Sequence, residues 1–156
     1  MNAATATTPA FAELPLPPLA QRLAYLGLVP FALGAALIWL FGDRYLDAHA
    51  LVSLGLTSYA GLVIAFLGGI YWGLGFKQEA MVPQHFLWGI APVAVGWIGV
   101  VMPAYSGLVL EGAMLIVCYL VDRRFYPELG AASWLTLRFR LSAISALFCF
   151  LAAAGC

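Results

Sequence analysis

The sequence predicts an all-α membrane protein, a compact bundle of about five transmembrane helices. Hydrophobic residues make up 64% of the 156 residues and charged residues only 9%, whereas an ordinary soluble domain has about 45–50% apolar and about 25% charged residues. A soluble surface needs charge, so most of this chain must face lipid. The few charged residues also divide the chain into apolar segments of spanning length. The formal net charge of zero gives no support for a nucleic-acid partner.

The first 18 residues of the chain contain no basic residue. Residues 1–18 are rich in Ala, Thr and Pro and contain no Lys or Arg, so the basic region of a signal peptide is missing. We predict a disordered arm over residues 1–18 and a single transmembrane helical domain over residues 19–156. The apolar run of residues 23–41 is longer than the core of a signal peptide and predicts the first span.

Four further spans follow, separated by charged or turn-forming residues. The second covers residues 50–76 without a single charge, and the third covers residues 85–102. The fourth runs from about Ala104 to residue 121 after a Pro- and Gly-containing turn, and the fifth begins near Trp134 and runs to the C-terminus.

The distribution of Lys and Arg predicts the orientation. With five spans, Arg44 is the only Lys or Arg on the side opposite the N-terminus. Basic residues concentrate in cytoplasmic loops, so we predict a bacterial inner-membrane protein with a cytoplasmic N-terminus and an outside C-terminus. The basic residues assigned to the cytoplasmic side are Arg22, Lys77, Arg123, Arg124, Arg138 and Arg140.

Small residues recur at every fourth position of the second span and end in a Gly-x-x-x-Gly pair. Residues four apart lie on one helix face, so we predict a groove where another helix approaches closely. Central packing within the bundle is the favoured interpretation, and a dimer interface is the alternative. The predicted face consists of Ser53, Thr57, Gly61, Ala65, Gly69 and Gly73.

Three motifs carry a family resemblance. They are Tyr59 with the Phe-Leu-Gly-Gly-Ile-Tyr-Trp-Gly run of residues 66–73, the Leu-Gly-Leu-Val-Pro-Phe run of residues 26–31, and Trp134 with Leu137, Arg138 and Leu141. Together they resemble the bacterial domain-of-unknown-function family 3429, which is related to the mitochondrial transmembrane protein 69. The resemblance covers about residues 23–151 and implies a multi-pass membrane domain, with no activity to carry over. The family commonly has Ser where this chain has Ala65, so a hydroxyl is missing there.

The sequence contains no recognisable catalytic, cofactor or metal motif. The two histidines, His49 and His85, are predicted at opposite membrane faces, so one chain cannot supply a bis-His haem site. There is no H-E-x-x-H, no Gly-rich phosphate loop with a Lys and no C-x-x-C among the three cysteines. We therefore expect a non-enzymatic protein without cofactor.

Glu111 is the one acidic residue inside a predicted span. Carboxylates in hydrocarbon are costly and usually face the bundle interior. Its predicted depth is about 6–10 Å below the outer surface. Polar partners at that depth would form an intramembrane polar site, whereas a carboxylate that reaches water at the interface is the alternative. The predicted partners are Thr57, Ser58, Tyr59 and Trp97.

Basic and aromatic residues gather at the predicted inner face. Such residues are ordinary interfacial anchors, and a site for an anionic lipid headgroup or an acidic loop of a partner is the functional alternative. This set comprises Trp72, Lys77, His85, Arg123, Arg124, Trp134 and Arg138.

The leading functional hypothesis is an accessory, interaction or scaffold subunit that packs in the bilayer against a larger membrane complex or against itself as a homo-oligomer. A small proton-coupled transporter that uses Glu111 is the first alternative. A lipid- or quinone-binding membrane protein is the second.

Overall fold

The structure, a computed structural model, describes residues 16–76 and 83–156, and every regular element in these ranges is helical. Five segments are long and apolar enough to cross a membrane, which confirms the predicted fold class. The first of them consists of two helices, α1 and α2. The helices are α1 (Pro18–Leu26), α2 (Val29–Phe41), α3 (Leu46–Gly75), α4 (Pro83–Val101), α5 (Ala104–Phe125) and α6 (Leu135–Gly155).

Several charged residues that were predicted in loops belong to the terminal turns of helices instead. Helix α3 begins at Leu46 with Asp47 in its first turn, and α5 continues to Phe125 with Arg123 and Arg124 in its last turn. Acidic side chains near a helix N-terminus and basic ones near a C-terminus interact favourably with the helix dipole, which explains the longer helices. Of the predicted arm, residues 1–15 lie outside the described residues, and Pro18 already belongs to α1.

The first span is broken at residues 27 and 28. Pro30 has no N–H to donate to the carbonyl of Leu26, so a continuous helix would lose a hydrogen bond there. Helix α1 buries none of its residues, whereas α2 buries Phe31 and Ile38 against the bundle. The half of the first span that precedes the break therefore leaves the core open on one side.

Helix α3 is the central element, in contact with α2, α4 and α5, while α6 packs against α5 and α2. Helices α3 and α4 approach each other closely at two glycine crossings. A methyl group added at Gly68 would overlap the carbonyl of Gly89, and one at Gly61 would lie 3.1 Å from the carbonyl oxygen of Gly96. Glycine at these crossings allows backbone contact that any side chain would prevent.

The predicted packing face of α3 is correct over its first half only. Ser53, Thr57 and Gly61 are buried and Ala65 is half-buried, but Gly69 and Gly73 are exposed. A methyl group added at either exposed glycine would meet no atom within 4 Å, so the packing prediction is wrong for both.

The reason is the pitch of the α-helix. Four residues turn the helix by about 400°, so each step of four rotates the row by about 40°. From Thr57 to Gly73 the rotation reaches about 160°, which carries the row from the core side to the lipid side. The buried glycines of this half are Gly68 and Gly75 instead. A dimer interface at Gly69 and Gly73 stays a prediction.

The two histidines lie at opposite ends of the bundle, as their predicted depths require. At the end we call the His49 end, Trp39 Nε1 donates to the carbonyl oxygen of Leu151 at 2.9 Å, and His49 Nε2 lies 3.1 Å from the carbonyl oxygen of Gly155. Both acceptors lie at the C-terminal end of α6, and the carbonyl of Gly155 is one of the last four, which lack a partner within the helix. His85 lies at the other end, which we call the Asp122 end, about 33 Å away along α3.

Candidate functional site: a neutral ion pair beside an intramembrane cleft

A buried polar cluster joins three helices at the Asp122 end. Tyr71 Oη of α3 donates to Oδ1 of Asp122 in α5 at 2.7 Å. Arg138 of α6 donates to Asp122 Oδ2 through Nε at 2.7 Å and through Nη2 at 2.5 Å. All three side chains are buried. We refer to Tyr71, Asp122 and Arg138 as the Asp122 cluster.

The cluster carries no net charge, and the carboxylate of Asp122 finds its hydrogen-bond donors within the cluster. An isolated buried carboxylate or guanidinium costs several kcal/mol, and the pair recovers this only with good geometry and further hydrogen bonds. Here both carboxylate oxygens of Asp122 accept hydrogen bonds. The cluster therefore holds α3, α5 and α6 together without leaving a net charge in the membrane.

Two further titratable residues adjoin the cluster. Tyr126, just beyond α5, is buried, and this burial together with the nearby carboxylate of Asp122 raises the pKa of Tyr126 to about 12. Its phenol therefore stays protonated at neutral pH. The ring of His85 is buried 5.0 Å from that of Phe125 and 6.4 Å from that of Tyr71.

The predicted inner-face set does not form one surface. Arg123 and Arg124 are exposed, whereas Arg138 and His85 are buried. The grouping is therefore wrong for these two, because the carboxylate of Asp122 draws the guanidinium of Arg138 into the core and His85 packs on aromatic rings. Trp72 is 39% exposed and stacks edge-on against Phe86, Trp134 is half-buried, and Lys77 lies outside the described residues.

An apolar cleft of about 830 Å³ lies next to the cluster, between the first span, α3 and α6. The cleft exists because α1, the part of the first span that precedes the break, buries none of its residues and leaves this side of the core uncovered. Its walls are mostly aliphatic and aromatic, with a few polar groups on one side. The lining residues are Ala20, Leu23, Ala24, Gly27, Leu28 and Phe31 from the first span, Tyr59, Leu62, Val63, Phe66, Leu67, Ile70 and Leu74 from α3, Leu115, Tyr126 and Ala131, and Trp134, Leu137, Arg138, Leu141, Ser142 and Ser145.

The polar side of the cleft is one face of α6. Arg138, Ser142 and Ser145 are four and three residues apart, which places them on the same face of the helix. The hydroxyl oxygen of Ser142 is buried and has no hydrogen-bond partner among the described residues. A buried hydroxyl is costly without a partner, so this wall offers an unused hydrogen-bonding group to whatever occupies the cleft.

The residues that carry the family resemblance meet around the cleft and the cluster. Tyr59 Oη donates to the carbonyl oxygen of Gly27 at 2.9 Å, and the rings of Tyr59 and Phe31 meet edge-on at 5.2 Å. Tyr71 and Arg138, from the second-span and closing motifs, meet on Asp122. The sequence predicts Asp122 in a loop among the inner-face residues, and its pairing with Arg138 was not predicted. A single acid that follows the fourth apolar run, before the Arg of the closing motif, is the signal that could have identified it.

Glu111 is fully buried, which confirms that it faces the bundle interior. The predicted partners are wrong. The Thr57 hydroxyl donates to the carbonyl oxygen of Ser53 at 2.7 Å, and Tyr59 donates to Gly27. Trp97 is 68% exposed. Gly96 and Gly99 form the buried face of α4, and Trp97 lies on the exposed face.

The carboxyl of Glu111 lies instead among glycine backbones. A methyl group added at Gly99 would lie 2.8 Å from Glu111 Oε1, and one at Gly61 would lie 3.2 Å from the same oxygen. Neither carboxyl oxygen has a hydrogen-bond partner among the described residues, and Ser58 is only half-buried. The expected intramembrane polar site is therefore a single carboxyl rather than a network.

Comparison with known proteins gives one match. A family model described as "Protein of unknown function (DUF3429)" matches residues 16–154. No curated protein and no solved structure matches the chain.

Proposed function

This chain belongs to the DUF3429 family, and we propose from its own site that it is a multi-pass membrane protein that holds one amphipathic lipid in the cleft, as a non-enzymatic accessory subunit. The observation that supports this is the cleft itself, with apolar walls, a polar face on α6 and a volume of about 830 Å³. Small-molecule sites commonly measure about 300–1,000 Å³ and combine apolar walls with a few placed polar groups.

The amphipathic pattern of the cleft matches a lipid that lies along the bilayer normal. Trp134, Arg138 and Tyr126 lie towards the Asp122 end, while Phe31, Tyr59 and Leu62 lie towards the bilayer centre. A head group would occupy the first region and an aliphatic chain the second. The open side left by α1 gives a lipid lateral entry from the bilayer.

The chemistry of the cluster favours holding over reaction. The carboxylate of Asp122 accepts one hydrogen bond from Tyr71 and two from Arg138, and Asp122 is buried behind these residues and does not line the cleft, so it is not presented to a substrate there. Glu111 is not among the residues that line the cleft, and its role in proton-coupled transport stays a prediction.

We also propose that the Asp122 end faces the cytoplasm of a bacterial inner membrane. Arg22, Arg123 and Arg124 are exposed at this end, whereas Arg44 lies at the His49 end. Short loops rich in Arg and Lys stay on the cytoplasmic side. The lipid head group would then belong to the inner leaflet.

A bulky residue in the wall of the cleft tests the proposed function. Ala24→Trp fills the cleft from α1, and the bundle tolerates it because α1 buries none of its residues. Native mass spectrometry of the detergent-extracted protein should show a bound lipid on the wild type and about tenfold less of it on the variant. Ala36→Trp, on the exposed face of α2, is the matched control and should keep the lipid. Equal lipid on both variants would refute the proposed function.

A further inference from the structure

Resting on the proposed function, we propose that the cleft selects lipids with an uncharged head group that carries hydroxyl or ester oxygens, and disfavours the same lipids once they carry a phosphate. Among the described residues that line the cleft, Arg138 alone is charged. A lone arginine in such a place would ordinarily attract a phosphate.

The positive charge of Arg138 is already paired with the carboxylate of Asp122. Its Nε and Nη2 donate to the carboxylate of Asp122, and Asp122 is itself buried. A phosphate beside Arg138 would meet the repulsion of this carboxylate along with the attraction of the guanidinium. Burying an anion without a free counter-charge is costly, so the pair makes the cleft a poor site for anions.

Among the described residues, no other cation at this end lines the cleft. Arg123 and Arg124 are exposed at the end of α5 and do not line it. They are available to lipid head groups outside the bundle, at the surface of the bilayer. Anionic lipids should therefore associate with the exterior of the protein rather than with the cleft.

The cleft does offer hydrogen bonds to neutral groups. The Ser142 hydroxyl is buried without a partner among the described residues, and Ser145 and Tyr126 also line the wall. Along α6, Ser142 lies about 6 Å and Ser145 about 10 Å beyond Arg138. A glycerol ester has hydroxyl groups at its end and a carbonyl a few bonds deeper, which matches donors staggered along the depth of the cleft.

The test compares two single-chain lipids that differ only in the phosphate. Monooleoylglycerol and oleoyl lysophosphatidic acid are titrated into the delipidated full-length protein and the bound fraction is measured by native mass spectrometry. We expect binding of monooleoylglycerol to be about tenfold tighter. Binding of monooleoylglycerol should be lost in Ala24→Trp, which shows that the cleft is its site, whereas the weaker binding of lysophosphatidic acid, which is expected on the exterior, should persist in this variant.

Two variants connect the preference to the residues that produce it. Asp122→Asn frees the guanidinium of Arg138 and should reverse the preference towards the phosphate lipid. Glu128→Gln removes an exposed acid at the same end and should leave the preference unchanged. If Asp122→Asn does not fold, Ser142→Ala replaces it. This variant should weaken monooleoylglycerol binding about fivefold, whereas Ser58→Ala, outside the cleft, should not.

The outcomes separate the two proposals. Tighter or equal binding of lysophosphatidic acid, lost in Ala24→Trp, would overturn the head-group inference and leave the lipid cleft standing. Binding of neither lipid, together with equal co-purified lipid on Ala24→Trp and wild type, would overturn the proposed function itself.

Discussion

The ion pair between Asp122 and Arg138 shows how one residue's position determines the properties of its neighbours. The guanidinium is buried because the carboxylate is there, and the carboxylate is tolerated because Tyr71 and Arg138 satisfy both of its oxygens. Each group alone would be a buried charge, and together they form a neutral contact between α5 and α6. The pair therefore joins helices and also determines which head groups the cleft accepts.

Removing one partner of this pair should cost more stability than removing both. Asp122→Asn or Arg138→Gln leaves the other charge buried, and such losses amount to about 3–5 kcal/mol. The double variant leaves no buried charge and should recover part of that loss. Thermal aggregation in detergent measures the difference, with Arg140→Gln, an exposed neighbour in α6, as the control. Additive effects in the double variant would contradict the pairing.

Glu111 leads to a different expectation, because it has no hydrogen-bond partner among the described residues. Replacing it by a residue of similar length without polar atoms removes a group that is costly to bury. We therefore expect Glu111→Met to melt at the same temperature as wild type or above it. A large loss of stability would show that the carboxyl has a partner after all. Leu110→Met, half-buried on the same helix, is the control.

At the scale of the element, α3 determines the geometry of the bundle through its glycines. Gly68 lies against the backbone of Gly89 in α4, while the adjacent Gly69 faces open space. The two positions therefore differ in packing alone, since both are in the interior of the same helix.

The pair Gly68→Ala and Gly69→Ala tests this difference directly. Both gain the same helix propensity, about 1 kcal/mol. Only Gly68→Ala forces α3 and α4 apart, and overpacking of this kind costs about 1–3 kcal/mol. Gly68→Ala should therefore melt below Gly69→Ala in detergent. Equal melting temperatures would mean that the α3–α4 crossing is looser than described.

The five spans were predictable, because the length and hydrophobicity of a segment are local properties. The packing face of α3 was predictable only near Ser53 and Thr57, since the rotation of about 40° per four residues accumulates beyond them. The pairing of Asp122 with Arg138 and the cleft were not predictable. They depend on how α1, α5 and α6 are arranged in space, and nothing in the spacing of residues along the chain determines that arrangement.

For the whole molecule, the proposed orientation with five spans predicts that the two ends of the described chain lie on opposite sides of the membrane. A reporter active only in the cytoplasm should be active when fused to the N-terminus and silent when fused to the C-terminus, because the exposed Arg22, Arg123 and Arg124 share one side. A periplasmic reporter should give the reverse pattern. Activity of the cytoplasmic reporter at the C-terminus would contradict the orientation.

The last turn of α6 is fastened by Trp39 and His49, residues that emerge from the ribosome about a hundred positions earlier. During synthesis, the contacts of α2 and α5 with α6 must therefore wait until α6 has been made. The wall of Arg138, Ser142 and Ser145 arrives at the same late step. Under the proposed function, a lipid could therefore enter the cleft from the bilayer before α6 completes its wall, and exchange later through the side that α1 leaves open.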